Sequence, residues 1–185
     1  MTIARSIRFL VLIVLAAAFG GGAFAAMPGA PAADWQHLAV PGTDLAVDMP
    51  GTPTKGDDIV AGGMHTIAYH VTEGDTRAFG VRAEQVAAGL VASEGANGIL
   101  DDVRNTLVAD GTLRVDQVLP TQGDVVGRSL VIDSEEKTGP GAYTTVVHLY
   151  LRDGWIYVLV ATVPRGDESD PTARRFLESA RFSGR

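Results

Sequence analysis

Residues 155–163 read Trp-Ile-Tyr-Val-Leu-Val-Ala-Thr-Val, a run that is apolar at nearly every position. A strand with one solvated face alternates apolar and polar residues, whereas a continuous apolar run needs cover on both faces. The run therefore predicts a strand at the centre of a sheet. Residues 143–152, just before it, alternate more visibly, and Asp153-Gly154 between the two segments is a strong signal for a tight hairpin. We predict that this hairpin anchors the fold.

The composition is typical of an ordered globular protein, because 46% of the 185 residues are hydrophobic and 20% are charged. This length suits one domain preceded by an export segment. The chain contains no cysteine, which excludes disulfides, thiolate catalysis, a lipid anchor on cysteine and sulfur-ligated zinc. A domain of this size can bury enough apolar surface to fold without covalent cross-links.

Residues 1–25 have the three parts of a secretory signal peptide. Two arginines, Arg5 and Arg8, precede an apolar run over residues 9–19. Residues 23–25, Ala-Phe-Ala, match a signal-peptidase site. We therefore predict export to the periplasm or to the cell exterior.

An uncleaved membrane anchor is the alternative for this segment, because residues 9–26 approach the roughly 18 apolar residues that can span a bilayer. Glycines at positions 20–22 dilute the apolar run and favour the cleaved signal peptide. The composition of residues 26–34, rich in Pro, Ala and Gly, predicts a flexible tether, and residues 35–185 are predicted to form a single domain.

The mature chain is strongly acidic. Cleavage removes two of the 15 Lys and Arg residues and none of the 22 Asp and Glu residues, so its formal charge is 13 less 22, or −9. Binding to nucleic acid or to an anionic membrane requires a clustered basic face. The charge therefore argues against nucleic acid as a partner, and against membrane association after cleavage.

Further strands are predicted by short alternating segments that flank turn residues. Polar residues 54–58 are predicted to form a loop. The paired strand segments are residues 35–40 with 44–49, 63–72 with 76–86, and 112–119 with 124–133.

Two segments change to helical spacing. Residues 93–110 carry one apolar stripe, and Ser93 or Asn97 is the expected cap. A second helix is expected after Asp170, a capping carboxylate that directly precedes Pro171. Together the elements predict an α+β fold, an antiparallel β-sheet with helices on both faces in a three-layer α/β/α arrangement.

Residues 45–53, Leu-Ala-Val-Asp-Met-Pro-Gly-Thr-Pro, resemble a pattern of small exported bacterial proteins in which an alternating strand ends in Pro-Gly-x-Pro. Residues 176–182, Phe-Leu-Glu-Ser-Ala-Arg-Phe, look like the terminal Phe-Leu-x-Ser-Phe helix of the same proteins, with Ala180 where an aromatic residue is usual. With the apolar hairpin between these segments, the order of elements is similar to the PsbP-like fold. That fold is shared by the extrinsic photosystem II subunits and the Mog-type Ran-binding proteins.

This resemblance covers most of residues 35–182 and implies the fold. Proteins of this fold act mainly as binding or assembly factors without catalytic machinery, which implies a similar role here. No functional residue carries over, because the matching positions are turn and core residues and a shared fold is a weak guide to function.

The sequence contains no catalytic, cofactor or metal motif. The four histidines, His37, His65, His70 and His148, show neither His-x-His nor His-Glu-x-x-His spacing. A weak metal site would need His70 and His148 on neighbouring strands, and we expect ordinary surface or sheet histidines instead. Ser129 lies in a predicted strand and not at a strand-to-helix elbow. We therefore predict no metal, no cofactor and no enzymatic activity.

Several polar residues interrupt the predicted strands and form a candidate interaction surface. Ordinary solvent-facing arginines on a half-buried sheet are the simpler explanation. The candidates are Arg82, Arg128, Tyr143, His148 and Arg152.

Two functions fit these observations. The first is an exported, noncatalytic binding or assembly module that acts through a sheet-and-loop surface on a protein or another envelope component. The alternative is a small-ligand carrier, or a hydrolase without a recognised motif, with a cleft between the sheet and the helix at residues 93–110. A deep apolar pocket with convergent polar groups would favour the alternative, and a filled core would eliminate it.

Signal-peptide cleavage after Ala25 is directly testable. We expect the exported product to contain 160 residues, 185 less the first 25, because the peptidase cuts after the small residues at its site. Intact-mass spectrometry of the product recovered from the host measures this length. An exported product that retains residues 1–25 would instead support the uncleaved anchor.

Overall fold

The computed structural model describes residues 34–61, 64–74, 76–87, 89–109, 111–135 and 142–183. These residues form ten strands and two helices. In chain order the elements are β1 (Trp35–Ala39), β2 (Leu45–Pro50), β3 (Thr54–Ala61), β4 (Met64–Glu73), β5 (Arg77–Gln85), α1 (Leu90–Leu107), β6 (Thr112–Gln122), β7 (Val125–Glu135), β8 (Ala142–Arg152), β9 (Trp155–Pro164), α2 (Pro171–Glu178) and β10 (Arg181–Phe182). Neither helix in these described ranges is long and apolar enough to cross a membrane. The predicted signal peptide and most of the predicted tether lie outside the described residues.

Seven strands form one antiparallel sheet in the order β3-β4-β5-β9-β8-β7-β6. The predicted apolar strand is β9, which lies at the centre with three strands on each side. Every residue of β9 between Trp155 and Pro164 is buried. The prediction of a central strand covered on both faces is therefore confirmed.

The turn between β8 and β9 is the predicted two-residue hairpin. Asp153 and Gly154 have φ angles of 47° and 76°. Positive φ angles at both central positions give a turn whose twist matches that of antiparallel strands. Glycine adopts this conformation without a steric penalty, and aspartate is one of the few other residues that tolerate it. The turn sets the register of the hairpin, in which Arg152 pairs with Trp155.

The two faces of the large sheet carry separate hydrophobic clusters, because alternate residues of a strand point to opposite sides. On the first face, Tyr157, Leu159 and Ala161 of β9 pack in a cluster with α2 and with a second sheet of order β1-β2-β10. On the second face, Ile156 and Val158 pack in a cluster with α1. The helices contribute Ile99, Leu100 and Val103 from α1, and Ala173, Phe176 and Leu177 from α2.

The first helix begins before the predicted position, and neither Ser93 nor Asn97 caps it. Its N-cap is Gly89, with a φ angle of 90° and no side-chain hydrogen bond. The Ser93 hydroxyl donates instead to the Leu90 carbonyl at 3.0 Å. Gly95 has a φ angle of 71°, which interrupts the helical backbone near its start. A cap without a polar side chain leaves no sequence signal, and this explains the misplaced start.

Residues 54–58, predicted to be a polar loop, form the first part of β3. This strand lies at the edge of the large sheet, and its pairing with β4 is broken by a bulge between Lys55 and Asp58. Because an edge strand has solvent along one side, it accepts polar residues and bulges that a central strand excludes. Polar composition is therefore compatible with strand structure at this position.

The second helix begins as predicted. Asp170 Oδ1 accepts hydrogen bonds from the backbone N–H groups of Thr172 and Ala173, both at 2.9 Å. Pro171 follows the cap directly, where its missing N–H has no consequence for the helix. The expected cap and first-turn proline are thus both confirmed.

Leu159→Ala tests the importance of the central strand. The Leu159 side chain is fully buried, so its truncation should lower the free energy of unfolding by about 2–5 kcal/mol through lost apolar contact and a residual cavity. Urea denaturation followed by circular dichroism measures the change. Val118→Ala is the matched control, because Val118 is 76% exposed and its truncation should change stability by less than about 0.5 kcal/mol. Equal effects of the two substitutions would contradict the central role of β9.

Candidate functional site

The five candidate surface residues lie on both faces of the large sheet. Strand pairing assigns Arg82, Arg128 and Tyr143 to the second face and His148 and Arg152 to the first. The structure therefore does not bring the five together on one surface. Their part in an interaction stays a prediction, and it now concerns two separate regions.

The two arginines on the second face are engaged in ion pairs and are largely buried. The Arg128 side chain is 13% exposed, and its Nη1 donates to Asp101 Oδ1 of α1 at 2.5 Å. Arg82 Nη2 donates to Glu84 Oε2 at 2.9 Å, and burial raises the pKa of Glu84 although Arg82 opposes this shift. Tyr143, on the same face, is buried as well. The expectation of ordinary solvent-facing arginines is wrong for Arg82 and Arg128, and it is also wrong for Arg152 on the first face, whose side chain is 10% exposed.

Arg152 belongs to a polar cluster that joins the two sheets. The Tyr157 hydroxyl donates to Asp44 Oδ1 at 2.6 Å, and Arg152 Nη1 lies 2.8 Å from Asp44 Oδ2. Burial raises the pKa of Tyr157, and the adjacent carboxylate adds to this shift. The Arg152 guanidinium also lies 5.9 Å from the ring centroid of Phe182 in β10. One aspartate in the β1–β2 turn thus holds a tyrosine and an arginine of the large sheet.

His148 packs beside the ring of Tyr150, which in turn contacts Phe182. Its Nδ1 lies 3.2 Å from the Tyr150 hydroxyl, and the Tyr150 and Phe182 rings meet edge to face with 5.3 Å between their centroids. Burial lowers the pKa of His148 and raises the pKa of Tyr150 to about 12. Both side chains are therefore neutral at pH 7 and contribute to packing.

His70 and His148 do not meet. His70 lies on β4 and His148 on β8, and β5 and β9 separate these two strands. Adjacent strands are about 4.8 Å apart, so this arrangement leaves roughly 14 Å between the two backbones. The hypothesis of a weak metal site shared by these histidines is therefore wrong.

The other two histidines each pair with one aspartate. His37 Nδ1 lies 3.0 Å from Asp48 Oδ1, and His65 Nε2 lies 2.6 Å from Asp58 Oδ1. Within the described ranges, no group of three or more His, Asp or Glu side chains is arranged to hold a metal ion.

An open cavity of about 970 Å³ lies where β1, the β2–β3 loop, the β4–β5 hairpin and α2 meet. We call this cavity the α2 cleft. Its lining combines aromatic, charged and hydroxyl side chains, so it offers both shape and polar contacts. The lining includes Trp35, Thr72, Glu73, Arg77, Thr172 and Arg175.

Trp35 and Arg175 form one part of the cleft wall. The Arg175 guanidinium carbon lies 3.9 Å from the centroid of the Trp35 ring, a cation–π contact. Trp35 also packs against the first-face cluster, which holds its ring in place. Within the part of the chain that the structure describes, Arg175 makes this ring contact and no ion pair.

A second arginine, Arg77, lines the same cleft and has a counterion. Its Nη2 lies 2.8 Å from Oδ2 of Asp170, the residue that caps α2 through its other oxygen. Burial raises the pKa of Glu73. The positive charge of Arg77 lowers this pKa, and the negative charge of Asp170 raises it. The cleft therefore has one neutralised arginine and one arginine without a carboxylate partner among the described residues.

The α2 cleft is not at the place where the sequence predicts one. The α1 side chains Ile99, Leu100 and Val103 are at most 2% exposed and pack directly on the second face. The cleft instead lies beside α2, at an end of the large sheet.

Sequence reasoning does not identify the cleft residues Trp35, Arg77 and Arg175. They come from three separate elements and meet only in the folded chain. An arginine on the outer face of an amphipathic helix gives no signal of its own. The Asp170 cap is recognisable in the sequence, but its pairing with Arg77 is not.

No protein-family model matches the chain, and no curated protein sequence matches it. A solved structure does match with a TM-score above 0.5. Cyanobacterial PsbP (CyanoP) from Synechocystis aligns with a TM-score of 0.58 and 11% identity, over 88% of this chain and 100% of that one. The fold of the described residues, mostly antiparallel sheet with two helices, is therefore PsbP-like. At this identity the similarity concerns the fold alone.

Two further structures align at lower scores. A protein of unknown function from Pseudomonas aeruginosa has a TM-score of 0.41 and 10% identity, over 72% of this chain and 85% of that one. A protein from Bacteroides thetaiotaomicron has a TM-score of 0.44 and 13% identity, over 76% of this chain and 46% of that one. At these scores neither alignment informs the function.

Tyr157→Phe tests whether the polar cluster around Asp44 is structural. Removal of the hydroxyl leaves one oxygen of the partly buried Asp44 carboxylate without its donor, so the free energy of unfolding should fall by about 1–3 kcal/mol. Tyr150→Phe is the control, because its hydroxyl makes a longer contact with a neutral histidine, and we expect a smaller loss. Thermal and urea unfolding measure both. A Tyr157→Phe protein as stable as the parent would contradict the role assigned to the cluster.

Proposed function

We propose that the protein is an exported, noncatalytic binding module that engages another protein or envelope component through the α2 cleft. The observation that carries this proposal is the Arg175 guanidinium stacked on Trp35, a cation without an ion pair among the described residues. Arginine and tryptophan are enriched at the energetic centres of protein interfaces. Their juxtaposition at the rim of an open cleft supports a binding role.

The construction of the cleft wall also supports this role. One side consists of strand ends and of the β4–β5 hairpin, and the other consists of α2. Connecting segments on a rigid sheet commonly carry binding residues, because the sheet positions them while their sequences stay free to vary. The proposed surface is therefore a sheet-and-loop surface at an end of the molecule.

Export is part of the proposal. Residues 1–25 supply the charged start, the apolar run and the small-residue site of a signal peptide. A mature chain of this composition needs no cysteine to fold after export. We infer a periplasmic or secreted location, with an uncleaved anchor as the alternative.

The arrangement of the two helices relative to the large sheet is a further part of our proposal. We infer a three-layer α/β/α arrangement related to the Mog-type branch of the PsbP-like proteins. It is supported by the assignment of α1 and α2 to clusters on opposite faces of the large sheet. The resemblance of residues 45–53 and 176–182 to exported bacterial proteins supports it further.

A noncatalytic role is supported by the way in which the polar side chains are used. Arg128 joins α1 to the sheet, and Arg152 joins the sheet to the β1–β2 turn. His148 has a lowered pKa because it is buried in the packing of the first face. These groups stabilise the fold, and none of them lines the α2 cleft.

A small-ligand carrier is the second candidate function. It is favoured by the volume of the α2 cleft, about 970 Å³, which lies near the upper end of the range for small-molecule sites. A carrier of this kind would use the same cleft, so the two candidates differ in the ligand and not in the site.

Substitution of a cleft threonine tests the proposed function. Thr72→Tyr should fill part of the α2 cleft and reduce capture of a cross-linked partner from envelope extracts by about tenfold or more, because the partner loses access to the wall. The measurement is quantitative mass spectrometry of material captured by the tagged full-length chain.

Thr112→Tyr is the matched control for this experiment. Thr112 is exposed at the start of β6, on the other edge of the sheet, and should leave capture unchanged. Equal capture by the parent and by Thr72→Tyr, or no specific capture by the parent, would refute the proposed function.

A further inference from the structure

The stacked arginine in the α2 cleft has a defined binding chemistry. When a guanidinium stacks on an aromatic ring, its N–H groups lie in the guanidinium plane, parallel to the ring, and remain available as donors at the edge of that plane. Two of those donors match the two oxygens of a carboxylate in a parallel, bidentate pair. The Arg175 guanidinium carbon lies 3.9 Å from the centroid of the Trp35 ring, so this contact holds the guanidinium at the cleft wall, where its donors can reach a planar anion.

The charges around Arg175 limit which anion fits. Arg77 is neutralised by Asp170 at 2.8 Å, and Glu73 lies in the same lining. A ligand that enters the cleft thus meets one cation without a carboxylate partner among the described residues, in a lining that also contains Glu73. One negative charge is matched by Arg175, whereas a doubly charged phosphate would leave one charge unmatched in a cleft that already holds a carboxyl group.

The shape of the cleft indicates how the anion is presented. The cavity is open and much larger than a single carboxylate, and its wall carries Thr52, Thr72, Thr76 and Thr172. Threonine hydroxyls both donate and accept hydrogen bonds, so they suit the alternating N–H and C=O groups of an extended peptide. The dimensions and the lining together favour a chain segment over an isolated ion.

We propose that the α2 cleft binds an acidic peptide segment of a partner protein, with a Glu or Asp carboxylate of that segment held by Arg175 against Trp35. This inference rests on the proposed function and specifies the chemistry of its partner. Arg175 acts as the anchoring cation, and the cleft threonines contact the peptide backbone.

Arg175→Gln tests the anchor. The probe is a labelled Gly-Gly-Glu-Gly-Gly peptide with blocked ends, which carries one carboxylate, and its binding to the full-length chain is followed by fluorescence anisotropy. We expect Arg175→Gln to weaken binding by about tenfold or more, because a charge-assisted bidentate pair is lost. Arg175→Lys keeps the charge but not the planar pair, and we expect an intermediate loss.

Arg174→Gln is the matched control. Arg174 precedes Arg175 on the same helix, is 70% exposed, and pairs with Glu178 at 2.8 Å outside the α2 cleft. The two substitutions change the net charge equally, so a specific site predicts that Arg174→Gln leaves peptide binding unchanged. An equal loss in both variants would overturn the proposal, since it would indicate general charge attraction. Circular dichroism melting curves verify that all variants are folded.

Three further probes define the ligand. A Gly-Gly-Gln-Gly-Gly peptide and inorganic phosphate should both bind at least tenfold more weakly than the Glu peptide, and comparable binding of either would overturn the carboxylate assignment. Propionate presents the same single carboxylate without a peptide backbone. Propionate binding that depends on Arg175, without binding of the Glu peptide, would overturn the peptide assignment and favour the carrier.

The two proposals fail in different ways. If Thr72→Tyr abolishes partner capture while Arg175→Gln leaves it intact, the binding function stands and the acidic-peptide inference is wrong. If the Glu peptide binds in an Arg175-dependent manner but the envelope extract yields no partner, the chemistry of the cleft stands and the proposed function is wrong.

Discussion

The structure depends on the burial of β9 on both faces. A strand with apolar side chains above and below stabilises the fold only if each face has its own cover, and the side chains on the two faces of β9 belong to two separate buried clusters. The polar cluster of Asp44, Tyr157 and Arg152 lies on the first of these faces, where the β1–β2 turn meets the large sheet.

That cluster shows how an apolar interface accommodates charge. Asp44 would be costly to bury alone, but it has a donor from Tyr157 and an ion pair with Arg152. The small sheet is therefore fixed by a specific polar contact in addition to apolar packing. Two of the candidate surface residues lie in or beside this cluster: Arg152 pairs with Asp44, and His148 contacts Tyr150. In the α2 cleft, by contrast, Arg175 has no carboxylate partner among the described residues.

How much of this was predictable depends on the range of the interactions. The central strand, its Asp153-Gly154 turn and the Asp170 cap follow from local rules, because each signal lies within a few residues. The β3 strand was missed because the sheet edge, and not its own composition, allows it to pair. The α2 cleft was missed because contacts between Trp35, Arg77 and Arg175 exist only after distant elements have packed.

The strand order has a consequence for how the chain reaches this structure. Strands β3 to β5 form one meander and strands β6 to β9 another, and β5 and β9 join them through pairs such as Gln85 with Trp155. Each group of strands can form early, because its strands are joined by local turns. The pairing of β5 with β9 must close the long loop between the two groups, so it carries an entropic cost and is the slower step. Until that step, β9, a strand that is apolar at nearly every position, is an unpaired sheet edge. A newly synthesised chain is therefore most prone to aggregation before β5 pairs with β9.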